Sequence, residues 1–351
     1  MFSDARLGCL ILMVLLLTAV ASAQQSGPPV QHGTGKIVLD VVVAPKSGPN
    51  VAGLRQQDFT LLDNKVPQTI TSFKAVTGRE APIQVIVVID AVNATAQNVD
   101  YQRIEINKFL RAEGGHLAYP IALVLLTDGG VQIVGNFSSD GNALSVALQQ
   151  VDAGLRTFGR SGGLAGAAER WKLSITALRQ LVASESSHPG RKIMVWASPG
   201  WPLLSGPRTE LDSNQEKQVF ADIVSLSTRL LQARVTLYGI DPIGAGGSVM
   251  RTSYYKDFLK GVSKPSQVNV GDLGLPVLAI QSGGLALNSN NNIAGLLQEC
   301  VADAAPYYEI SFDSSAAKRP DEYHQLEVKV AQAGLTARTR QGFYAQPLPH
   351  D

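Results

Sequence analysis

The stretch Gln84-Val85-Ile86-Val87-Val88-Ile89-Asp90 sets five consecutive β-branched residues ahead of one carboxylate. Apolar on both faces, it predicts a strand buried in the middle of a parallel sheet. An aspartate at the end of such a strand stands where open α/β sheets bind their ligands. From Pro82 onward, strand patterns alternate with amphipathic helical ones, the grammar of a parallel α/β sheet. Val99, Ile106, Phe109 and Leu110 fall on one side of a helix, and residues 121–127 and 131–134 flank Asp128-Gly129-Gly130 as a hairpin. Residues 142–151 predict a helix, and Trp171, Ile175, Leu178 and Val182 stripe another. Residues 192–197 and 235–240 read as strands, the second ending in Asp241-Pro242. Between them Ser213 and Glu216 read as a capping box opening a helix with Phe220, Ile223, Val224, Leu230 and Leu231 buried. Residues 275–280 read as a helix, 284–287 as a short edge strand and 293–302 as a last helix. Residues 244–248 and 288–292 read as flexible crossings.

The flanks have a different period. Residues 36–43 alternate, with Ile37, Leu39, Val41 and Val43 on one face, and residues 59–62 form a second strand. Asp63-Asn64-Lys65 turns the chain into a third strand at 68–73. At the other end, 307–312, 325–330 and 335–340 alternate around a turn at Gly334. Neither flank holds enough strands to be stable alone. The expected fold is therefore an α/β domain at 82–303, with a doubly wound, mostly parallel sheet and helices on both faces. The β segments 35–78 and 305–346 are expected to pack together as a smaller β domain.

At the amino terminus Arg6 precedes an apolar run at residues 10–20, followed by Ala21-Ser22-Ala23. This predicts a secretory signal over residues 1–23, removed after Ala23, with residues 24–34 as a Pro/Gly-rich linker. The run is shorter than the roughly 20 residues of a spanning helix, and no other segment is apolar enough to cross a membrane. The expected location is periplasmic or extracellular. Of the chain's 2 cysteines, Cys9 falls in the signal, which leaves Cys300 beside Leu296 and Leu297 as a buried structural thiol. With 30 Lys and Arg against 29 Asp and Glu, and no basic cluster, nucleic acid is not an expected partner.

Three stretches carry a resemblance. Gly53-Leu54 with Gln57-Asp58-Phe59, Asp63-Asn64 and Pro67-Gln68 looks like a G-L-x(3)-D-F leader. Tyr307-Tyr308-Glu309-Ile310 and Ala337-Arg338-Thr339-Arg340-Gln341-Gly342-Phe343-Tyr344 resemble "Y-Y-L-L-G-Y" and "V-R-A-R-x-G-Y" trailers. Between them lie Val235-Thr236-Leu237-Tyr238-Gly239-Ile240-Asp241-Pro242 and Ser282-Gly283-Gly284-Leu285-Ala286. In this order they are similar to the von Willebrand factor type A superfamily, and more narrowly to the bacterial VWFA-related proteins of Acidobacteria.

The resemblance implies a metal-ion-dependent adhesion site on the carboxyl edge of the sheet: D-x-S-x-S after the first strand, a Thr from a later loop and an Asp after the fourth strand. These oxygens hold Mg²⁺ and leave one coordination position for a partner. Asp90 matches the first aspartate. The serine positions are Val92 and Ala94, the threonine position is Leu164 after Gly162-Gly163, and the last aspartate position is Pro199. The expected site is degenerate and takes no metal or other cofactor. Asp90 then needs donors, from backbone N–H groups at the start of the next helix or from Asn93 and Thr95. A rearranged Mg²⁺ site could draw on Asn93, Thr95, Ser198 and Asp241, although strand alternation points Asn93 away from where a ligand in register with Asp90 should sit.

Gly159-Arg160-Ser161-Gly162-Gly163 fits the G-x-S-x-G of a hydrolase elbow and offers Ser161 as a nucleophile, with His188 and His324 downstream. That elbow must follow a buried strand, and Leu155-Arg156-Thr157-Phe158 is short and half polar. The leading expectation is an exported, non-catalytic, adhesion-like module that binds an unidentified protein or cell-envelope ligand. Its partner-binding candidates are Asp90, Asn93, Ser198, Asp241 and an exposed-looking Trp201. An exported serine hydrolase using Ser161 and Mg²⁺-dependent adhesion at Asp90 are the alternatives.

Overall fold

The computed structural model describes residues 35–78, 82–151, 163–201, 211–242, 261–268, 273–288, 291–315 and 317–347. The signal, the linker, Ser161 and the crossing at 244–248 lie outside them. All the described residues belong to one compact unit, Gly35–Asp351.

A six-stranded sheet forms the centre, in the order β10-β9-β8-β5-β6-β7. Its strands are β5 (Gln84–Asp90), β6 (His116–Thr127), β7 (Gly130–Asp140), β8 (Lys192–Ala197), β9 (Val235–Ile240) and β10 (Ala286–Leu287). All pair in parallel except β7, which returns antiparallel to β6. One face carries α1 (Ala96–Arg111), α2 (Gly141–Gln150) and α6 (Ile293–Ala302). The other carries α3 (Gly163–Glu185), α4 (Ser213–Gln232) and α5 (Leu275–Gln281). The period of two divides β5 between the two cores: Val85, Val87 and Ile89 face the first, Ile86 and Val88 the second. The chain winds outward from β5 to β6 on one side and from β8 to β9 on the other. The carboxyl ends of β5 and β8 thus form a topological switch point.

Two four-stranded sheets make up the rest. One runs β13-β1-β11-β4, from β13 (Leu335–Arg338), β1 (Lys36–Pro45), β11 (Tyr307–Asp313) and β4 (Ser72–Val76). The other runs β14-β12-β2-β3, from β14 (Gly342–Ala345), β12 (Glu322–Val330), β2 (Phe59–Asp63) and β3 (Val66–Gln68). Each sheet interleaves strands from both ends of the chain, as in β1 with β11 and β2 with β12. Their facing side chains, among them Leu39, Val41, Phe59, Leu61, Tyr308, Phe312, Val328 and Phe343, form a third core.

Two local readings need correction. The strand at 68–73 is two strands, since β3 pairs with β2 while β4 pairs with β11 in the opposite sheet. Alternation reports a strand's faces and not the sheet it joins. The helix α4 is capped by Asp212, whose Oδ1 accepts the N–H groups of Asn214 (2.8 Å) and Gln215 (2.9 Å), while Gln215 Oε1 accepts the Asp212 N–H at 2.9 Å. The capping box thus lies one residue earlier than Ser213 and Glu216, with a carboxylate as the stronger acceptor. Its buried face uses Val219 and Leu226; Phe220 and Leu231 are half-buried, Phe220 against the Tyr344 ring. Asp212→Ala should cost about 1 kcal/mol, the usual worth of an N-cap, and lower Tm by roughly 3 °C in thermal unfolding.

The α/β layer and the β-sandwich are joined by buried charge. Asp303, just after α6, accepts hydrogen bonds from the Tyr238 hydroxyl of β9 and the Arg338 guanidinium of β13, and from Asn50 Nδ2 at 3.2 Å. Arg191 donates to the backbone carbonyls of Asp303 (2.9 Å) and Ala304 (3.1 Å) and lies 4.9 Å over the Tyr307 ring. Beside this, Arg234 bridges Asp40 of β1 and Glu309 of β11. Cys300, fully buried nearby, has its thiol pushed well up by burial.

Candidate functional site

Asp90 ends β5 with no exposed surface. The chain turns immediately after it, and this turn aims two backbone N–H groups back at the carboxylate. Oδ1 accepts Val92 N at 3.0 Å and Asn93 N at 2.9 Å, the Asx-turn geometry that a strand-ending aspartate favours. Oδ2 accepts Asn93 Nδ2 at 2.8 Å and the Trp196 indole N–H at 3.0 Å. Burial raises the Asp90 pKa, opposed by the donors from Asn93, Trp196 and Ser198. The Asn93 side chain does meet the carboxylate, but the backbone N–H groups that do so belong to the turn at Val92 and Asn93 and not to the start of α1. Thr95 does not: its Oγ1 caps α1 by accepting Asn98 N at 3.1 Å.

The expectation that Asn93 points away is overturned. Strand alternation ends at Asp90, and the turn brings the amide back over the carboxylate. From there Asn93 Nδ2 also donates to Ser174 Oγ of α3 at 2.8 Å, and Ser174 donates to the Arg170 carbonyl at 2.8 Å. Trp201 is a second correction. It is only 3% exposed and packs edge-on against Trp196, with ring centroids 5.3 Å apart. A tryptophan after Pro-Gly reads as a loop-tip residue, but here its ring joins the core on that face of the sheet.

Ser198 is buried, accepts Gly200 N at 3.2 Å and donates its own N–H to Ile240 O. Pro199 and Asp241 are half-buried on the same edge, and Asp241 N donates to Leu287 O at 2.9 Å. The structure therefore gathers Asp90, Asn93, Ser198, Trp201 and Asp241 at the ends of β5, β8 and β9. Leu164 lies in the first turn of α3, and its side chain is outside the described residues.

Do these residues fit a hard cation? A carboxylate has about four lone-pair directions, and four N–H donors already occupy those of Asp90. Val92 and Ala94, at the two serine positions, are buried among apolar side chains on opposite faces of the sheet. An N–H donor stands where Mg²⁺ would need an oxygen ligand, so the residues present do not fit the ion. Ser161 lies outside the described residues, and the two histidines named with it hold different places in the fold. His324 Nδ1 lies 2.7 Å from Asp63 inside the sandwich. His188 follows the far end of α3, whose 23 residues span roughly 34 Å.

Four residues of this site escaped the sequence reading: Trp196, Ser174, Arg170 and Trp171. Trp196 looked like one more apolar residue of a buried strand. A buried tryptophan needs an acceptor for its N–H, and the neighbouring strand ends in Asp90, so the pairing had a signal.

No family model matches the sequence, and no curated protein matches it. Solved structures similar to the chain include proximal thread matrix protein 1 from the mussel byssus, with TM-score 0.40 and 12% identity over 69% of this chain and 51% of that one. They also include the human COPII-coat protein Sec24c, with TM-score 0.34 and 11% identity over 78% of this chain and 44% of that one. BatB from Bacteroides thetaiotaomicron has TM-score 0.29 and 8% identity over 63% of this chain and 97% of that one. The chain thus spans about half the length of the thread matrix protein.

Proposed function

We propose that this chain is an exported, von Willebrand factor A-like interaction module that binds a protein or cell-envelope partner at the carboxyl edge of its central sheet, without a metal and without catalysis. The observation that carries this reading is the saturated carboxylate of Asp90. The switch point of an open α/β sheet is a binding position, and here its acidic residue is committed to holding β5, β8 and, through Asn93, α3 together. That leaves Asn93, Pro199 and Asp241, each partly exposed at the strand ends, as the surface offered to a partner.

The reading is tested by retention on immobilised protein of components from the envelope of the cell that makes it. Retention should be unchanged by EDTA and at least halved by Pro199→Lys, which puts a long cation on that surface. If EDTA abolishes retention, or Pro199→Lys leaves every retained component in place, the proposal fails.

A further inference from the structure

Three arginines of the charged layer between the central sheet and the sandwich differ in what balances them. Arg234 is paired with the Asp40 and Glu309 carboxylates, and Arg338 with Asp303. Arg340 is 7% exposed and, among the described residues, bonds no carboxylate. Its guanidinium donates to two backbone carbonyls, Nε to Gly342 at 3.0 Å and Nη2 to Ser227 at 3.2 Å, which leaves Nη1 without an acceptor there. The pKa values divide in the same way. Burial lowers all three, but Asp40 reverses this for Arg234, and Tyr238 with Asp303 reverses it for Arg338, while Arg340 stays depressed, at about 10. Carbonyl oxygens satisfy N–H groups without neutralising the charge, and a buried charge is costly until an opposite one joins it.

Arg340 lines a small cleft at the amino edge of the central sheet, between the junction of α4 with β9 and strand β1. Asp40, Arg234, Ser282 and Thr339 line it too. Two of these carry buried polar atoms without a partner, Arg234 Nε and Thr339 Oγ1. The cleft has about 20 Å³ of room for water-sized groups, enough for one water or one ion of similar size. A water would satisfy the donors and leave the Arg340 charge unbalanced, whereas an anion does both. The Asp40 carboxylate is engaged by Arg234, but its charge disfavours a doubly charged ion. The Ala233 carbonyl just after α4, a repulsive neighbour for any anion, is taken up by Lys192 Nζ at 3.0 Å.

We infer that this cleft binds a single chloride-sized monovalent anion, held by Arg340 together with the Arg234 N–H and the Thr339 hydroxyl. The ion neutralises a buried guanidinium and ties the chain between β13 and β14 to the central sheet. The site lies at the opposite ends of the strands from Asp90 and is independent of what binds there.

Thermal unfolding of the purified protein is followed as sodium gluconate is replaced by sodium chloride at constant ionic strength, and the width of the ³⁵Cl NMR line is measured on the same samples. Tm should rise saturably, by about 3 °C at ten times the half-saturating concentration. Bromide should give the same gain and sulfate should not. The protein should broaden the ³⁵Cl line, and bromide should compete that broadening away. Arg340→Met removes the charge and keeps an unbranched chain, so it should abolish the chloride-dependent rise and the broadening whatever its own Tm. Thr339→Val, at a half-buried position, should raise the half-saturating concentration severalfold. A Tm that does not distinguish chloride from gluconate, an equal saturable gain from sulfate, or a chloride response that survives in Arg340→Met would overturn the inference. Should Arg340→Met not fold, an unchanged half-saturating concentration in Thr339→Val would overturn it instead.

Discussion

Alanine at position 303 is expected to destabilise the chain by roughly 3–5 kcal/mol, the range for breaking a buried ion pair by removing one partner. Asp303 is 7% exposed, and its carboxylate accepts from Tyr238, Arg338 and Asn50. Truncation leaves the Arg338 charge half-buried and the Tyr238 hydroxyl, whose pKa burial raises, without an acceptor. Because these partners come from the central sheet and from the sandwich, the loss should loosen one layer from the other. Urea unfolding of Asp303→Ala should therefore show a lower midpoint, with Arg338→Met costing less, since the smaller change leaves Asp303 bonded to Tyr238 and Asn50.

The pH dependence has a definite sign. Burial alone would raise the Asp303 pKa, but the Arg338 and Arg191 guanidinium groups overcome it and hold the carboxyl below the usual carboxylate range. A depressed folded-state pKa contributes stability that is fully present above the unfolded value of about 3.9 and is lost as pH falls through the folded value. The stability gap between wild type and Asp303→Asn should accordingly be widest near neutrality and narrow as the pH is taken below about 4. A gap that stayed constant down to pH 3 would mean that the charge of Asp303 contributes nothing to holding the layers together.

Strands bounded by charge or glycine were legible from the chain alone. Residues 192–197 and 235–240 show the reason: each is mostly apolar and runs into a turn signal, Ser198-Pro199-Gly200 or Asp241-Pro242, and the structure gives both strands those bounds. The short strands β3 and β14, of three and four residues, carry too few positions for alternation to register, and pairing with a distant strand decides them. The site divides in the same way. Asp90 was visible because a carboxylate at the end of an apolar run is conspicuous. Its partners were not, because Trp196 and Ser174 reach it across strand register and helix packing, relations that lie 106 and 81 residues along the chain from Asp90 and Asn93. Trp201 misled for a related reason, since its burial rests on packing against Trp196 in a different element.

Asp90→Asn supplies the other large effect, and it separates a structural lock from a metal site. Both oxygens of Asp90 accept two N–H donors. An asparagine must turn its amide nitrogen toward one of these pairs, so two donors lose their acceptor whichever way it lies. At about 1–2 kcal/mol for each buried donor left unpaired, the variant should lose roughly 2–4 kcal/mol in thermal or urea unfolding, equally in EDTA and in excess Mg²⁺. A cation site behaves in the opposite manner: neutralising a ligand carboxylate relieves repulsion in the metal-free protein and removes stabilisation by added ion. The acid dependence is also opposite to that of Asp303. Burial raises the Asp90 pKa, so its contribution is fully present below about 3.9 and fades as pH rises through the folded value. The gap between wild type and Asp90→Asn should be widest in acid and narrow upward, while that of Asp303→Asn narrows downward. Stabilisation of the wild type by Mg²⁺ that Asp90→Asn abolishes would reinstate the cation and displace the indole from its role.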